Sequence, residues 1–201
     1  METITKKEYL PPGTILRTKK GNVKVMIIGY NALGERTGKT FDYGICQYPD
    51  GLNSLGSGTI NNEDIAEIFA LGYYDKENED VIKNIVNKYN IGTRKFKSQS
   101  EYTAPNHILP MGTIIRSYDQ ELYMIVDFLP LLADNTLRDY TVYRYPNGEL
   151  YDCINQDEIT EVISMGFIDK KCYKNLRAMP QVMDRIKREH EAGTIKPEKR
   201  R

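Results

Sequence analysis

The chain has 201 residues and carries 28 basic and 28 acidic side chains, for a formal net charge of zero. A balanced charge supplies no bulk field for nucleic acid or an anionic membrane, so neither is an expected partner. No apolar run approaches the ~18 residues of a membrane helix, the first ten residues hold no signal-peptide core, and Cys46, Cys153 and Cys172 form no CxxC pair. A cytoplasmic protein with free thiols and no membrane insertion is expected.

In chain order, Pro12-Gly13 leads into a short strand at Thr14 to Arg17, and Gly21-Asn22 turns the chain into a second at Val23 to Ile28. A third strand runs from Phe41 to Tyr48 and stops at Pro49-Asp50-Gly51, where proline presets φ and glycine accepts positive φ. A fourth short strand is expected between Leu52 and Ile60. Asn61 then caps a predicted helix: Glu63 and Asp64 place carboxylates in its first turn, and Ile65, Ile68 and Phe69 form its apolar face. Gly72 reads as its left-handed stop. A second helix is predicted from about Glu77 to Asn90, and the polar stretch from Gly92 to Asn106 reads as a linker.

The same order then repeats. Leu10-Pro11-Pro12-Gly13-Thr14-Ile15-Leu16-Arg17 returns as Leu109-Pro110-Met111-Gly112-Thr113-Ile114-Ile115-Arg116, with six of eight positions identical. Met26-Ile27-Ile28 returns as Met124-Ile125-Val126, Asp42-Tyr43 as Asp139-Tyr140, and Tyr48-Pro49-Asp50-Gly51 as Tyr145-Pro146-Asn147-Gly148. Asn61, Gly72 and Asp75 answer to Asn155, Gly166 and Asp169; Asn155 and Glu158 have capping-box spacing, and the last helix is expected to start near Pro180. The sequence therefore predicts an α+β chain of two tandem repeats, each a small antiparallel sheet followed by two helices, an SH3-like curl being one form such a sheet takes. The expected boundaries are a first repeat at 1–92, a linker at 93–108, a second repeat at 109–191 and a basic disordered tail at 192–201. Gly13, Asn61, Gly72, Gly112, Asn155 and Gly166 are read as structural residues.

Chemistry is hard to find in the repeated positions. Gly34-Glu35-Arg36-Thr37-Gly38-Lys39-Thr40 imitates a phosphate loop, but it has three residues between its glycines where four are needed, and strand rather than helix follows. His107 and His190 lack neighbours at metal-ligand spacing. Asp42 and Asp139 supply one acid per repeat, not the pair that glycoside hydrolysis needs, and a turn-forming role is expected of them. No enzyme activity, cofactor or metal is expected. Tyrosine is more telling, with 15 in a chain without tryptophan. Tyr43, Tyr48, Pro49, Tyr140, Tyr145 and Pro146 recur in register, as rings that either pack beside a turn or anchor a protein partner.

Leu-Pro-x-Gly-Thr-Ile, Met-Ile-Ile, Asp-Tyr-x-x-x-x-Tyr-Pro-x-Gly and Glu-Asp-Ile-x-Glu-Ile-x-x-x-Gly-Tyr-x-Asp together resemble an uncharacterised bacterial domain family. Its genes are common in Gram-positive type VII secretion loci, beside toxins with the LXG targeting domain. The first repeat carries the pattern best, at Leu10 to Gly13, Met26 to Ile28, Asp42, Tyr43, Tyr48 to Gly51 and Asp64 to Asp75, while the second departs after Gly148 and around Pro130. The resemblance implies a non-enzymatic, cytoplasmic adaptor or chaperone that binds a secreted toxin of its own locus. The alternative it leaves open is an immunity protein that neutralises that toxin.

Overall fold

The computed structural model describes residues 9–52, 56–74, 104, 107–146, 148 and 151–194. The first repeat forms β1 (Ile15–Thr18), β2 (Lys24–Gly34), β3 (Lys39–Gln47), β4 (Ser57–Ile60) and β5 (Ile65–Ala70), with one turn of 3-10 helix at Asn62–Asp64. The second forms β6 (Ile114–Ser117), β7 (Leu122–Phe128), β8 (Tyr140–Arg144), β9 (Tyr151–Ile154) and β10 (Ile159–Ser164), again with one 3-10 turn, at Gln156–Glu158. Helix α1 (Lys170–Glu191) follows. Each repeat is an antiparallel five-stranded sheet, in order β4-β3-β2-β1-β5 and β10-β6-β7-β8-β9. The two orders are the same once each strand is matched to its counterpart.

The expected fold class is thereby corrected. The molecule is mostly β, and among the described residues α1 is the one α-helix, so a repeat of sheet plus two helices does not describe it. The helix predicted after Asn61 is a single 3-10 turn followed by strand β5. Its capping signal is nonetheless used: the Asp64 carboxylate accepts from the Asn61 N–H at 3.0 Å, and that of Glu158 from the Asn155 N–H at 2.9 Å. What misled the periodicity is a pair of bulges. In the pairing of β5 with β1 the register shifts twice, so that Ala66 and Phe69 have no opposite partner, and in β10 Thr160 and Ile163 are skipped in the same way. Each extra residue stretches the two-residue alternation toward three, and two such steps imitate a helical spacing of apolar residues. The helix expected near Pro180 begins ten residues earlier, at Lys170, where the Asp169 side chain accepts from the Cys172 N–H at 2.8 Å; Pro180 lies inside it. The helix predicted from Glu77 to Asn90 lies outside the described residues.

Both faces of each sheet are covered. Along β2, Val25, Ile27 and Tyr30 join a core with Tyr9, Leu16, Tyr43 and Ile60, whereas Met26 and Ile28 point the other way. In β7, Tyr123 and Ile125 join Leu109, Ile115, Tyr140 and Val142, and Met124 and Val126 again face away. The residues that face away meet each other. Ile15, Met26, Ile28 and Tyr48 of the first repeat form one core with Met111, Ile114, Met124, Val126, Tyr145, Cys172 and Leu176 of the second. The two sheets are thus stacked through a shared middle layer, and each keeps a private core on its outer side. Ile108, within the expected linker, is buried in that middle layer. Lys170, Lys171 and Lys174 face out of α1, while Cys172 and Leu176 are buried and Met179 and Met183 pack on the same core.

Candidate functional site

The residues that recur between the repeats do matching work in both. Thr14 Oγ1 donates to the Pro11 carbonyl at 2.6 Å and accepts from the Gly72 N–H at 3.0 Å; Thr113 does the same with Pro110 and Gly166 at the same distances. The hydroxyl of Tyr43 accepts from the Leu10 N–H at 2.9 Å and donates to Asn62 at 3.2 Å, and Tyr140 bonds the Leu109 N–H at 3.3 Å and Gln156 at 2.6 Å. Asp42 and Asp139 accept the first N–H of each 3-10 turn, from Asn62 at 2.7 Å and Gln156 at 2.9 Å. Apart from the side-chain bonds of Tyr43 to Asn62 and Tyr140 to Gln156, these are side-chain-to-backbone ties that hold the strand order.

Gly72 and Gly166 do not take the left-handed backbone expected of a helix stop. They end β5 and β10 where another backbone passes too close for any side chain: a Cβ on Gly72 would lie 1.9 Å from the Pro12 carbonyl oxygen, and one on Gly166 2.1 Å from that of Met111. Gly13 and Gly112 do have positive φ, +86° and +80°, and stand against each other, the carbonyl oxygen of one lying 3.6–3.7 Å from where a Cβ would sit on the other. They mark a pseudo-two-fold axis between the repeats.

Around that axis the tyrosine and glycine contacts come in matched pairs. Tyr48 donates its hydroxyl to the Phe167 carbonyl of the second repeat, and Tyr145 donates to the Tyr73 carbonyl of the first. Tyr48 also stacks near Phe167, and Tyr145 near Tyr73, with ring centroids 6.4 and 6.0 Å apart. The turn glycine Gly51 lies over Asp127, and its counterpart Gly148 over Ile28 and Gly29. Tyr43, Tyr48, Tyr140 and Tyr145 are all at most 5% exposed, and Pro49 and Pro146, each joined to its tyrosine by a cis peptide bond, are buried with them. The six residues expected to meet a partner thus lie inside the molecule, four of them at the seam between repeats. Burial pushes the Tyr43 and Tyr48 hydroxyls well above tyrosine's ordinary range, so both remain protonated donors.

The turn glycines give a graded test. At Gly38 nothing lies within 4 Å of an added Cβ, so alanine costs only its positive φ, about 1 kcal/mol. At Gly51 the Cβ would also meet the buried Asp127 carboxylate at 2.4 Å, and at Gly148 it would meet backbone, the Ile28 oxygen at 2.5 Å. Urea denaturation should rank the losses Gly38→Ala, Gly51→Ala, Gly148→Ala, from about 1 to about 3 kcal/mol. Equal losses would contradict the close approach of the turns.

Among the described residues two ion pairs cross the seam, Lys171–Asp50 at its exposed rim and Lys24–Asp169 under more cover. Lys24 Nζ lies 2.5 Å from Asp169, whose side chain is 10% exposed, and 4.4 Å from the Phe69 ring centroid. Burial alone would raise the Asp169 carboxyl, but the Cys172 N–H and the Lys24 ammonium outweigh it and hold the group below its ordinary value. A folded-state value below the unfolded one makes stability present above about pH 4 and lost as pH falls through the folded value. Asp169→Asn should therefore lower the melting temperature at pH 7, and the gap to wild type should close as the pH falls below about 4. A gap independent of pH would remove the pair from the account.

The outer surface carries the remaining chemistry. Lys39 and Gly34 are paired across the β2–β3 hairpin, and the Gly34 carbonyl accepts from the N–H groups of Thr37 and Gly38, so the loop that imitates a phosphate site is a tight hairpin turn. A shallow cleft of about 740 Å³ lies between the Asn135–Asp139 loop, the second 3-10 turn and the end of α1; there Lys187 stands 3.8 Å from Asp139, and His190 contacts the Asn135 carbonyl. Burial pushes the Cys172 thiol up to about 11 and raises that of Cys46 further, so neither is a nucleophile at neutral pH. Large apolar side chains are exposed at Val23, Leu33 and Tyr118 and at two neighbouring positions by the β10 edge, where Val162 is 41% and Met165, just past the strand, 47% exposed; the outer side of that edge pairs with no described strand. Among the described residues no group of three or more His, Cys, Asp or Glu side chains is placed to hold a metal ion, and no helix is long and apolar enough to cross a membrane. Val162 and Met165 are not among the residues that the sequence singles out.

No curated protein and no solved structure matches the chain. A family model does, at residues 9–81 and again at residues 108–174, one match on each five-stranded sheet. The two matches take in the Leu-Pro-x-Gly-Thr segments, both tyrosine-proline turns and both bulged edge strands, and together they span most of the chain: it belongs to the Domain of unknown function (DUF4176) family, as two tandem copies.

Proposed function

We propose that this protein is a non-enzymatic, protein-binding accessory factor, a cytoplasmic adaptor or chaperone for an LXG-type toxin exported by a type VII system. Family membership supports an origin in such loci through the resemblance described above. The observation that carries a binding role is the β10 edge. Val162 and Met165 expose apolar side chains beside a strand edge that pairs with no described strand, a combination that suits cover by another chain. An extended segment of a partner can pair with such an edge through backbone hydrogen bonds, while the apolar side chains give specificity. The repeated tyrosines are committed to the seam and the private cores, so the partner is met elsewhere.

Co-expression with the toxin of its own locus tests this. The two should co-purify, deletion of the gene should reduce toxin secretion, and Val162→Asp with Met165→Asp should weaken the complex at least about tenfold while leaving melting unchanged. Unaltered binding by the double variant would remove β10 from the interface. Unaffected secretion, with protection of a sensitive cell by this protein alone, would replace the adaptor with an immunity protein.

A further inference from the structure

We propose that the solvent face of α1 is a docking stripe for an acidic segment of a protein partner. Lys170, Lys174, Arg177, Gln181, Arg185 and Arg188 follow one another at intervals of three and four residues, which sets them along one side of the helix, and all six are exposed. Asp184 is the one acid among them. Five cations and one carboxylate therefore line about 27 Å of surface, at 1.5 Å per residue. Cys172, Leu176, Met179 and Met183 occupy the opposite side and are committed to the middle layer.

The arrangement runs against the helix's own stability. Lys170 and Lys174, Lys174 and Arg177, and Arg185 and Arg188 are like charges three or four residues apart, which repel. Lys170 and Lys171 also stand in the first turn, at the positive end of the helix dipole, where no acid follows the Asp169 cap. Much of this charge is not neutralised at home. Lys171 and Lys187, on the flanks, have Asp50 and Asp139 at 2.5 and 3.8 Å, and Arg185 has Glu189 at 3.9 Å, whereas Lys170, Lys174 and Arg177 have no carboxylate within ion-pair reach among the described residues. A chain of zero net charge that gathers cations on one exposed face has a directional field, and a carboxylate-bearing surface relieves the repulsion that the helix bears alone.

The stripe favours a short acidic segment over a long polyanion. A nucleic acid or an anionic bilayer carries its charge past the end of the stripe, where Glu189 and Glu191 are exposed and repel it, and α1 presents no exposed aromatic ring on which a base can stack. The existence of a partner rests on the adaptor reading; the stripe adds the chemistry of the surface that partner presents. Met165 lies five residues ahead of Lys170, at most about 18 Å away, so one partner can cover both.

The test measures association of the whole protein with the purified toxin of its own locus. Lys170→Glu, Lys174→Glu and Arg177→Glu together should slow association at least about tenfold at about 50 mM salt and flatten its salt dependence, with melting no lower than wild type. Glutamine at the same three positions should give an intermediate rate, which keeps the result readable if the glutamates disturb the fold. Lys19→Glu with Lys20→Glu, at the exposed β1–β2 turn, should change association less than about twofold. Equal effects of the two sets, or association indifferent to salt and to the charge of the stripe, would overturn the proposal and leave the adaptor reading in place. So would single-stranded RNA, or vesicles with about 30% phosphatidylserine, bound by wild type and lost with the stripe charges while toxin association is unaltered. Absence of any complex between wild type and toxin would sink the adaptor reading and the stripe's partner with it.

Discussion

Replacing Gly72 by alanine should cost about 3 to 5 kcal/mol, a large share of the 5–15 kcal/mol that holds a typical domain together. The methyl carbon would start 1.9 Å from the Pro12 carbonyl oxygen, well inside contact distance, and the obstacle is backbone, which cannot rotate away as a side chain can. Moving it also strains the Gly72 N–H bond to Thr14 Oγ1 and the Gly13 turn at the pseudo-axis. Gly166→Ala should behave alike, because its Cβ would lie 2.1 Å from the Met111 oxygen. Thermal melting should fall by about 10 °C or more for either variant. Asparagine distinguishes the two explanations of these glycines. A left-handed helix stop tolerates asparagine, whereas a crowded backbone rejects it at least as strongly as alanine. Near-wild-type melting of Gly72→Asn would restore the helix-stop reading.

The second large effect is expected at the paired tyrosines. Tyr48→Ala should lose about 3 to 5 kcal/mol, the range for deleting a fully buried aromatic ring, and Tyr145→Ala a similar amount. Tyr48→Phe keeps the ring and leaves the Phe167 carbonyl without its donor, so about 1 to 2 kcal/mol should go. Both alanine variants should lower the same unfolding transition although one residue lies in each repeat, since each ring is buried against the other repeat. Denaturation followed separately by probes in the two sheets would show this as coincident shifts. A loss confined to the repeat that carries the substitution would mean that the seam contributes little.

How far these features are legible in the sequence differs from one to the next. The repeat, the hairpins and the tyrosine-proline turns follow from residue identity, because proline and glycine fix local backbone geometry wherever they stand. Strand β5 was not legible as a strand. Its two bulges shift Ile65, Ile68 and Phe69 into a helical spacing, and the capping box before it is real but closes only one 3-10 turn. The start of α1 was missed for the opposite reason: Pro180 looks like a first-turn residue, yet the cap is Asp169. The seam left a signal that alternation alone does not decode. Val25-Met26-Ile27-Ile28 and Tyr123-Met124-Ile125-Val126 are unbroken apolar runs, and a strand without polar alternation is covered on both faces. In a domain this small one cover is its own core, and the other must come from a neighbour. Here the neighbour is the second copy. The candidate binding surface was least legible, because Val162 and Met165 turn outward only once β10 is an edge strand.

The claim on which most of this rests is that two tandem domains fold as one unit through a shared middle layer, and scanning calorimetry tests it directly. One cooperative unit of this length should melt in a single transition with van 't Hoff and calorimetric enthalpies both near about 140 kcal/mol. Two domains that melt on their own would give a van 't Hoff enthalpy near about 70 kcal/mol, half the calorimetric value, even if their midpoints coincided. The shared core predicts the first result; the second would contradict it.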